Sequence, residues 1–149
     1  MTTIPDFDEN GNLPPGVYEV SLQDIRIHFT WTDRRKKLFA GLKQAIDNLT
    51  KANVKKVYID GSFATSKDEP NDIDGCWQYE KDVDADNLDP VFLDMHPPRE
   101  AMREKYGVDF LISGVLISDS AGNTIEEFFQ IDRDGNKKGI LLLVNREQS

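Results

Sequence analysis

The stretch Tyr58-Ile59-Asp60-Gly61-Ser62-Phe63-Ala64-Thr65-Ser66-Lys67-Asp68-Glu69-Pro70-Asn71-Asp72-Ile73-Asp74-Gly75 decides how this chain is read. It ends one strand-like run, Val54 to Ile59, on a Gly-Ser turn, and it opens a second, Asp72 to Tyr79, on two acidic residues. Alternate side chains of a strand share a face, so Asp72 and Asp74 stand side by side with Ile73 turned to the core. Two adjacent carboxylates repel unless a proton or a cation sits between them. A hard ion such as Mg²⁺ takes oxygen ligands at about 2.0–2.1 Å and keeps positions open for phosphate. In the first half, a strand that ends in Gly-Ser before a short helical turn presents free backbone N–H groups. Gly61 lets the main chain come close to a ligand. Ser62 adds a hydroxyl beside those donors, and such a group of donors favours phosphate. Nine residues separate Ser62 from Asp72, enough for a helical turn and a reversal onto the neighbouring strand.

Working outward, Thr32 to Asn53 is the clearest helix. Thr32 or Asp33 caps it, and Leu38, Leu42, Ala45, Ile46 and Leu49 recur at three- and four-residue steps. Beyond Tyr79 lies an acidic loop, Lys81 to Pro90, then Pro97-Pro98, a helical segment Arg99 to Tyr106, and a third strand, Val108 to Ile117. Ile125 to Ile131 and Gly139 to Val144 read as a hairpin or neighbouring strands around a turn at Asp134-Gly135. Residues 1–31, rich in Pro, Gly and Asn, read as an extended arm with turns, in which Val17 to Phe29 forms a short strand or helix. The expected organisation is therefore an arm, 1–31, and one domain, 32–149, of α/β or α+β class with helices packed on a mixed sheet.

Composition narrows the function. With 149 residues, 30% charged and 38% hydrophobic, the chain suits one ordinary globular core. No apolar run approaches the roughly 20 residues of a bilayer span, and the N-terminus has no signal-peptide pattern, so a cytoplasmic setting is expected. Cys76 is the single cysteine, which excludes an internal disulfide framework and a cysteine-based zinc site. A formal charge of −9 disfavours general binding to nucleic acid backbones. The basic run Arg34-Arg35-Lys36-Lys37 reads first as a solvated helix start.

The string Asp60 to Trp77 resembles the DNA polymerase beta-like nucleotidyltransferase superfamily. That signature is a strand, Gly-Ser, a spacer, and then Asp-apolar-Asp on the next strand. The chain is similar to a small single-domain bacterial family assigned to that superfamily. Leu13-Pro14-Pro15-Gly16, Tyr106-Gly107, Phe128 to Gly135 and Lys138-Gly139-Ile140 carry the likeness along nearly the whole length. The resemblance implies a minimal nucleotidyltransferase fold and a third carboxylate on a later strand, for which Asp109 is the candidate. Asp72, Asp74 and Asp109 would then hold one or two Mg²⁺ ions against a nucleoside triphosphate, with Asp109 also available as general base. The implied activity is transfer of a nucleotidyl group to a hydroxyl on a protein or RNA acceptor. The implied setting is a toxin–antitoxin or defence system with a toxin as partner. Two departures stand out. Many active members place an arginine soon after Gly-Ser, where this chain has Phe63-Ala64-Thr65 and offers Lys67. Many also carry a helical domain for which 149 residues leave little room. These departures favour the alternative, a nucleotide-binding or protein-interaction module without turnover.

Other features read as structural. Asp6, Asp8 and Asn10-Gly11 imitate the front of a calcium loop, but Val17 stands where the bidentate Glu belongs. His28 and His96 lack metal-ligand spacing. Cys76, Trp31 and Trp77 read first as core or packing residues, and Lys137 and Lys138 as turn charges.

Overall fold

The computed structural model describes residues 4–113, 130 and 135–145. In chain order these residues form β1 (Gly16–Val20), α1 (Leu22–Phe29), α2 (Asp33–Lys51), β2 (Lys56–Asp60), β3 (Ile73–Gln78), α3 (Glu100–Tyr106), β4 (Val108–Ser113) and β5 (Gly139–Val144). Single 3-10 turns lie at Gly61–Ala64 and Pro90–Leu93. The result is the expected mixed α+β architecture. One sheet runs in the order β1-β5-β2-β3-β4, with β5 parallel to β1 and antiparallel to β2, β2 antiparallel to β3, and β3 parallel to β4.

Side-chain alternation divides the sheet into two faces. Val57 and Ile59, Ile73 and Trp77, Val108 and Phe110, and Leu141 and Leu143 join Leu38, Leu42, Ala45 and Leu49 of α2 in one core. Burying side chains as large as Trp77, Phe92 and Phe110 stabilises the fold by roughly 1.5–3 kcal/mol each. Trp77 also donates its indole N–H to the Phe92 carbonyl, so its polar edge is satisfied inside. The other face carries Asp60, Asp74 and Asp109 toward one end, and Tyr58, Cys76 and Leu111 further along.

Helix α2 begins at the expected cap. The Thr32 hydroxyl accepts from the Arg35 backbone N–H and donates to the Asp68 carbonyl, tying the helix start to the Gly-Ser segment. Helix α1 starts with a capping box in which Ser21 and Asp24 satisfy each other's backbone N–H groups. The expected arm, residues 1–31, thus contains a paired strand and a capped helix. Leu13, Val20, Ile25 and Phe29 belong to the same core as α2. The Asp8 carboxylate accepts from the backbone N–H groups of Asn10 and Asn12, which closes a turn there.

The third strand is described through Ser113; its expected continuation, Gly114 to Ile117, lies outside the described residues, as do residues 125–129 and 131 and Asp134 of the expected Asp134-Gly135 turn. Segment Gly139–Val144 is a strand, and its partners here are β1 and β2. Among the described residues no helix is long and apolar enough to cross a membrane.

Candidate active site

Strand register builds the site. Asp60 of β2 lies opposite Asp74 of β3, and Asp74 is in register with Asp109 of β4, so three adjacent strands present carboxylates in one row on one face. Directly opposed side chains have Cβ atoms about 4.5–5.5 Å apart. Asp72, two residues before Asp74, joins the same end of the row. One carboxylate oxygen from each of Asp72, Asp74 and Asp109 lies within 4.8 Å of the others. The trio selected from the sequence is therefore a physical cluster.

The turn after β2 fits against it. Gly61 has φ +70°, and a Cβ built there would lie 2.2 Å from Asp74 Oδ2 and 2.8 Å from Asp74 Cβ. Glycine is needed both for this backbone conformation and for the room it leaves the carboxylate. The close approach expected of Gly61 is thus made to Asp74.

Beneath the turn lies a residue that composition misreads. Arg35 is fully buried rather than solvated. Its Nη1 donates to the carbonyls of Phe29 (3.1 Å) and Phe63 (2.8 Å), its Nη2 to those of Thr65 (2.6 Å), Lys67 (2.7 Å) and Ser62 (3.3 Å), and its Nε to Lys67 (3.0 Å). The guanidinium carbon sits 3.8 Å from the Trp31 ring centroid. Burial lowers the Arg35 pKa to about 10, opposed by Asp68, and the group stays charged at neutral pH. Arg34 continues the clamp, reaching the carbonyls of Pro70 (2.9 Å) and Asn71 (2.8 Å) just before Asp72. The two halves of the motif are held to α2 by these two arginines, whereas Lys36 and Lys37 are exposed as expected. Lys67 enters this network through its backbone carbonyl, and its residue is exposed. Ser62 contributes its carbonyl to Arg35, to the Thr65 N–H (3.2 Å) and to the Thr65 hydroxyl (2.7 Å).

Cations balance most of the row. Arg99 forks onto Asp109, with Nε to Oδ1 at 2.5 Å and Nη2 to Oδ2 at 3.4 Å. Arg103, one turn further along α3, reaches Asp72 Oδ2 at 3.2 Å and Asp109 Oδ2 at 3.5 Å. Lys138, just before β5, lies 2.9 Å from Asp60 Oδ1, with both side chains largely buried. Lys138 is therefore an ion-pair partner and not a simple turn charge. Four carboxylates meet three cations, and among the described residues none lies within ion-pair distance of Asp74. Burial, then the charges of Asp72, Asp109 and Asp60, push the Asp74 pKa up to about 7 against the opposing pull of Arg103. Burial also raises Asp72, with Arg103 and Arg34 opposing, and raises Asp60 against Lys138. Hydrogen bonding to Asp109 raises Arg99.

Sequence reading missed Asp60, Arg35, Arg99, Arg103 and Lys138. Asp60 carried a usable signal, since it follows Tyr58 at strand spacing and directly precedes Gly61; the cations arrive from segments whose contacts no local pattern encodes. His28 and His96 are exposed, and Trp77 is core. Concavities of about 250 Å³ beside Val57 and Leu143, and about 650 Å³ beside Lys43 and Tyr106, are lined by other residues than this row.

The donor set is all carboxylate oxygen, which suits a hard divalent ion, and the uncompensated charge at Asp74 is what such an ion would relieve. No curated protein and no solved structure matches the chain. One family model matches it, over residues 5–144, and is described as a family of unknown function, DUF6932. Since that match takes in both halves of the acidic motif, the turn between them and every strand of the sheet, the chain belongs to the family DUF6932.

Proposed function

We propose that the chain is a Mg²⁺-dependent nucleotidyltransferase that moves a nucleotidyl group from a nucleoside triphosphate to a hydroxyl of a protein or RNA acceptor. The observation that carries the reading is the convergence of Asp72, Asp74 and Asp109 within 4.8 Å beside a Gly-Ser turn fitted to Asp74. Asp72, Asp74 and Asp109 would hold the metal. Bound there, Mg²⁺ supplies positive charge against the triphosphate and makes the acceptor hydroxyl easier to deprotonate. The chain's own part is positioning: β3 and β4 fix the carboxylates in register, and Arg35 holds the Gly61–Ala64 turn rigid against them. Asp109 is available to take the acceptor proton, and its orientation is set by the Arg99 fork. Gly61, Ser62 and Lys67 are the proposed phosphate contacts. A cytoplasmic toxin–antitoxin or defence setting, with a toxin or an RNA as acceptor, goes with this reading.

The test is transfer of label from each of the four nucleoside triphosphates, with Mg²⁺, to candidate acceptors. Transfer that disappears in Asp72→Ala/Asp74→Ala supports the reading; no transfer, or transfer indifferent to both aspartates, overturns it. A second reading, a binding module without turnover, is favoured by one observation: Arg99 and Arg103 already pair Asp109 and Asp72. Nucleotide or partner binding that persists in Asp72→Ala/Asp74→Ala would decide for it.

A further inference from the structure

Arg99, at the start of α3, and Arg103, within it, differ in how they are held. Arg99 is 15% exposed in its side chain; it forks onto Asp109 and also donates to the Met95 carbonyl. Arg103 is 44% exposed, and its contacts to Asp72 (3.2 Å) and Asp109 (3.5 Å) are longer. Arg99 is the left-handed N-cap of α3 and Arg103 lies within the helix, yet both reach Asp109, one guanidinium fixed inside and the other over the outer edge of the cluster. Both carboxylates that Arg103 grips belong to the trio suited to a cation. A divalent ion bound to those carboxylates competes directly with the guanidinium for their oxygens. Once displaced, Arg103 remains tethered beside the site, with solvent access and a planar fork that matches phosphate oxygens.

We propose that Arg103 is an exchangeable counter-ion: it neutralises Asp72 and Asp109 whenever no cation competes for them, yields them to a divalent ion, and then pairs with a phosphate of the ligand that the ion holds. This rests on the metal-binding reading of the trio and adds to it the residue that recognises the phosphate. It also requires opposite effects on two ligands. Removing the guanidinium should help the metal and harm the phosphate, a pattern that a purely structural ion pair would not produce.

The experiment is calorimetric titration of the whole chain with Mn²⁺, followed by inorganic tripolyphosphate titrated into the Mn²⁺-saturated protein. Arg103→Gln is expected to bind Mn²⁺ roughly two- to fivefold more tightly than wild type, the upper part of the range for loss of one part-exposed competing pair. It is expected to bind tripolyphosphate about tenfold more weakly, as for a lost charge-assisted fork. Arg103→Lys keeps the charge without the fork; it should bind Mn²⁺ like wild type and tripolyphosphate several-fold more weakly. Lys51→Gln, whose partner Asp47 is remote and exposed, controls for net charge and should change neither. Uptake of Mn²⁺ by Arg103→Gln but not by wild type would overturn the proposal, since Arg103 would then be a fixed counter-ion that does not yield. Equal Mn²⁺ affinity in wild type and Arg103→Gln, with loss in Asp72→Asn, overturns the role of Arg103 and leaves the metal site standing. No uptake by either protein overturns both.

Discussion

Replacing Asp74 by Asn should stabilise the metal-free protein at alkaline pH and leave it nearly unchanged in acid. Asp74 sits among Asp60, Asp72 and Asp109, and burial together with those charges raises its pKa from 3.8 to about 7. A carboxyl whose folded pKa is raised holds a proton in the native state that the unfolded chain has already released. Stability therefore falls as pH rises from about 4 to about 7, and the full penalty is present above that window. The shift of about three pH units corresponds to at most about 4 kcal/mol at roughly 1.4 kcal/mol per unit. Asp74 is only part-buried and its neighbours are coupled to it, so solvent screening reduces this to about 1–2 kcal/mol. For a chain of this size that is a rise in Tm of about 2–8 °C. The substitution keeps the shape and removes the charge. Melts of both proteins with chelator at pH 4, 6 and 8 measure the difference, and titrations of groups remote from Asp74 cancel. The Asp74→Asn variant should gain progressively from pH 4 to 8, while added Mn²⁺ should raise Tm in wild type and not in the variant. A variant no more stable than wild type at pH 8, or a difference independent of pH, would refute this account of the cluster.

Gly61→Ala forces a positive φ on alanine and puts its Cβ against the Asp74 carboxylate; denaturant unfolding should show a loss of about 1–3 kcal/mol. Arg35→Met strands the carbonyls of Phe63, Thr65 and Lys67 and should cost about 3 kcal/mol or more by the same measurement. Lys138→Met leaves Asp60 charged and buried without its partner, a cost of about 3–5 kcal/mol. Adding Asp60→Asn should restore most of that stability, and a double variant no better than the single would show that the pair is not coupled.

Elements with strong local periodicity were legible in the sequence. The stripe from Leu38 to Leu49 predicts α2, and alternation around Asp74 and Asp109 predicts β3 and the start of β4. Asp72 and Asp74 were legible for the same reason, since strand spacing fixes which carboxylates share a face; Asp109 was reached only through the resemblance, which implies a third carboxylate on a later strand. Residues 16–29 were harder. The prolines and glycines before them resemble a loose arm, and the partner of β1 is a segment more than a hundred residues away. Arg35 was hidden by its company: in a run of four basic residues, only the helical phase of Leu38 and Leu42 marks it as inward-facing. Arg99, Arg103 and Lys138 are set by tertiary contact, which one-dimensional spacing does not carry.

The position of β5 between β1 and β2 has a consequence for assembly. During synthesis, β1 emerges early with no edge to pair with, and β2 has only β3 until Gly139–Val144 is made. The gap is filled by a late insertion, whose long loop closure slows folding. The same insertion brings Lys138 to Asp60. A nascent or truncated chain lacking this segment would expose two unpaired strand edges and a carboxylate row short of one counter-charge, a form prone to self-association and poor at retaining its geometry.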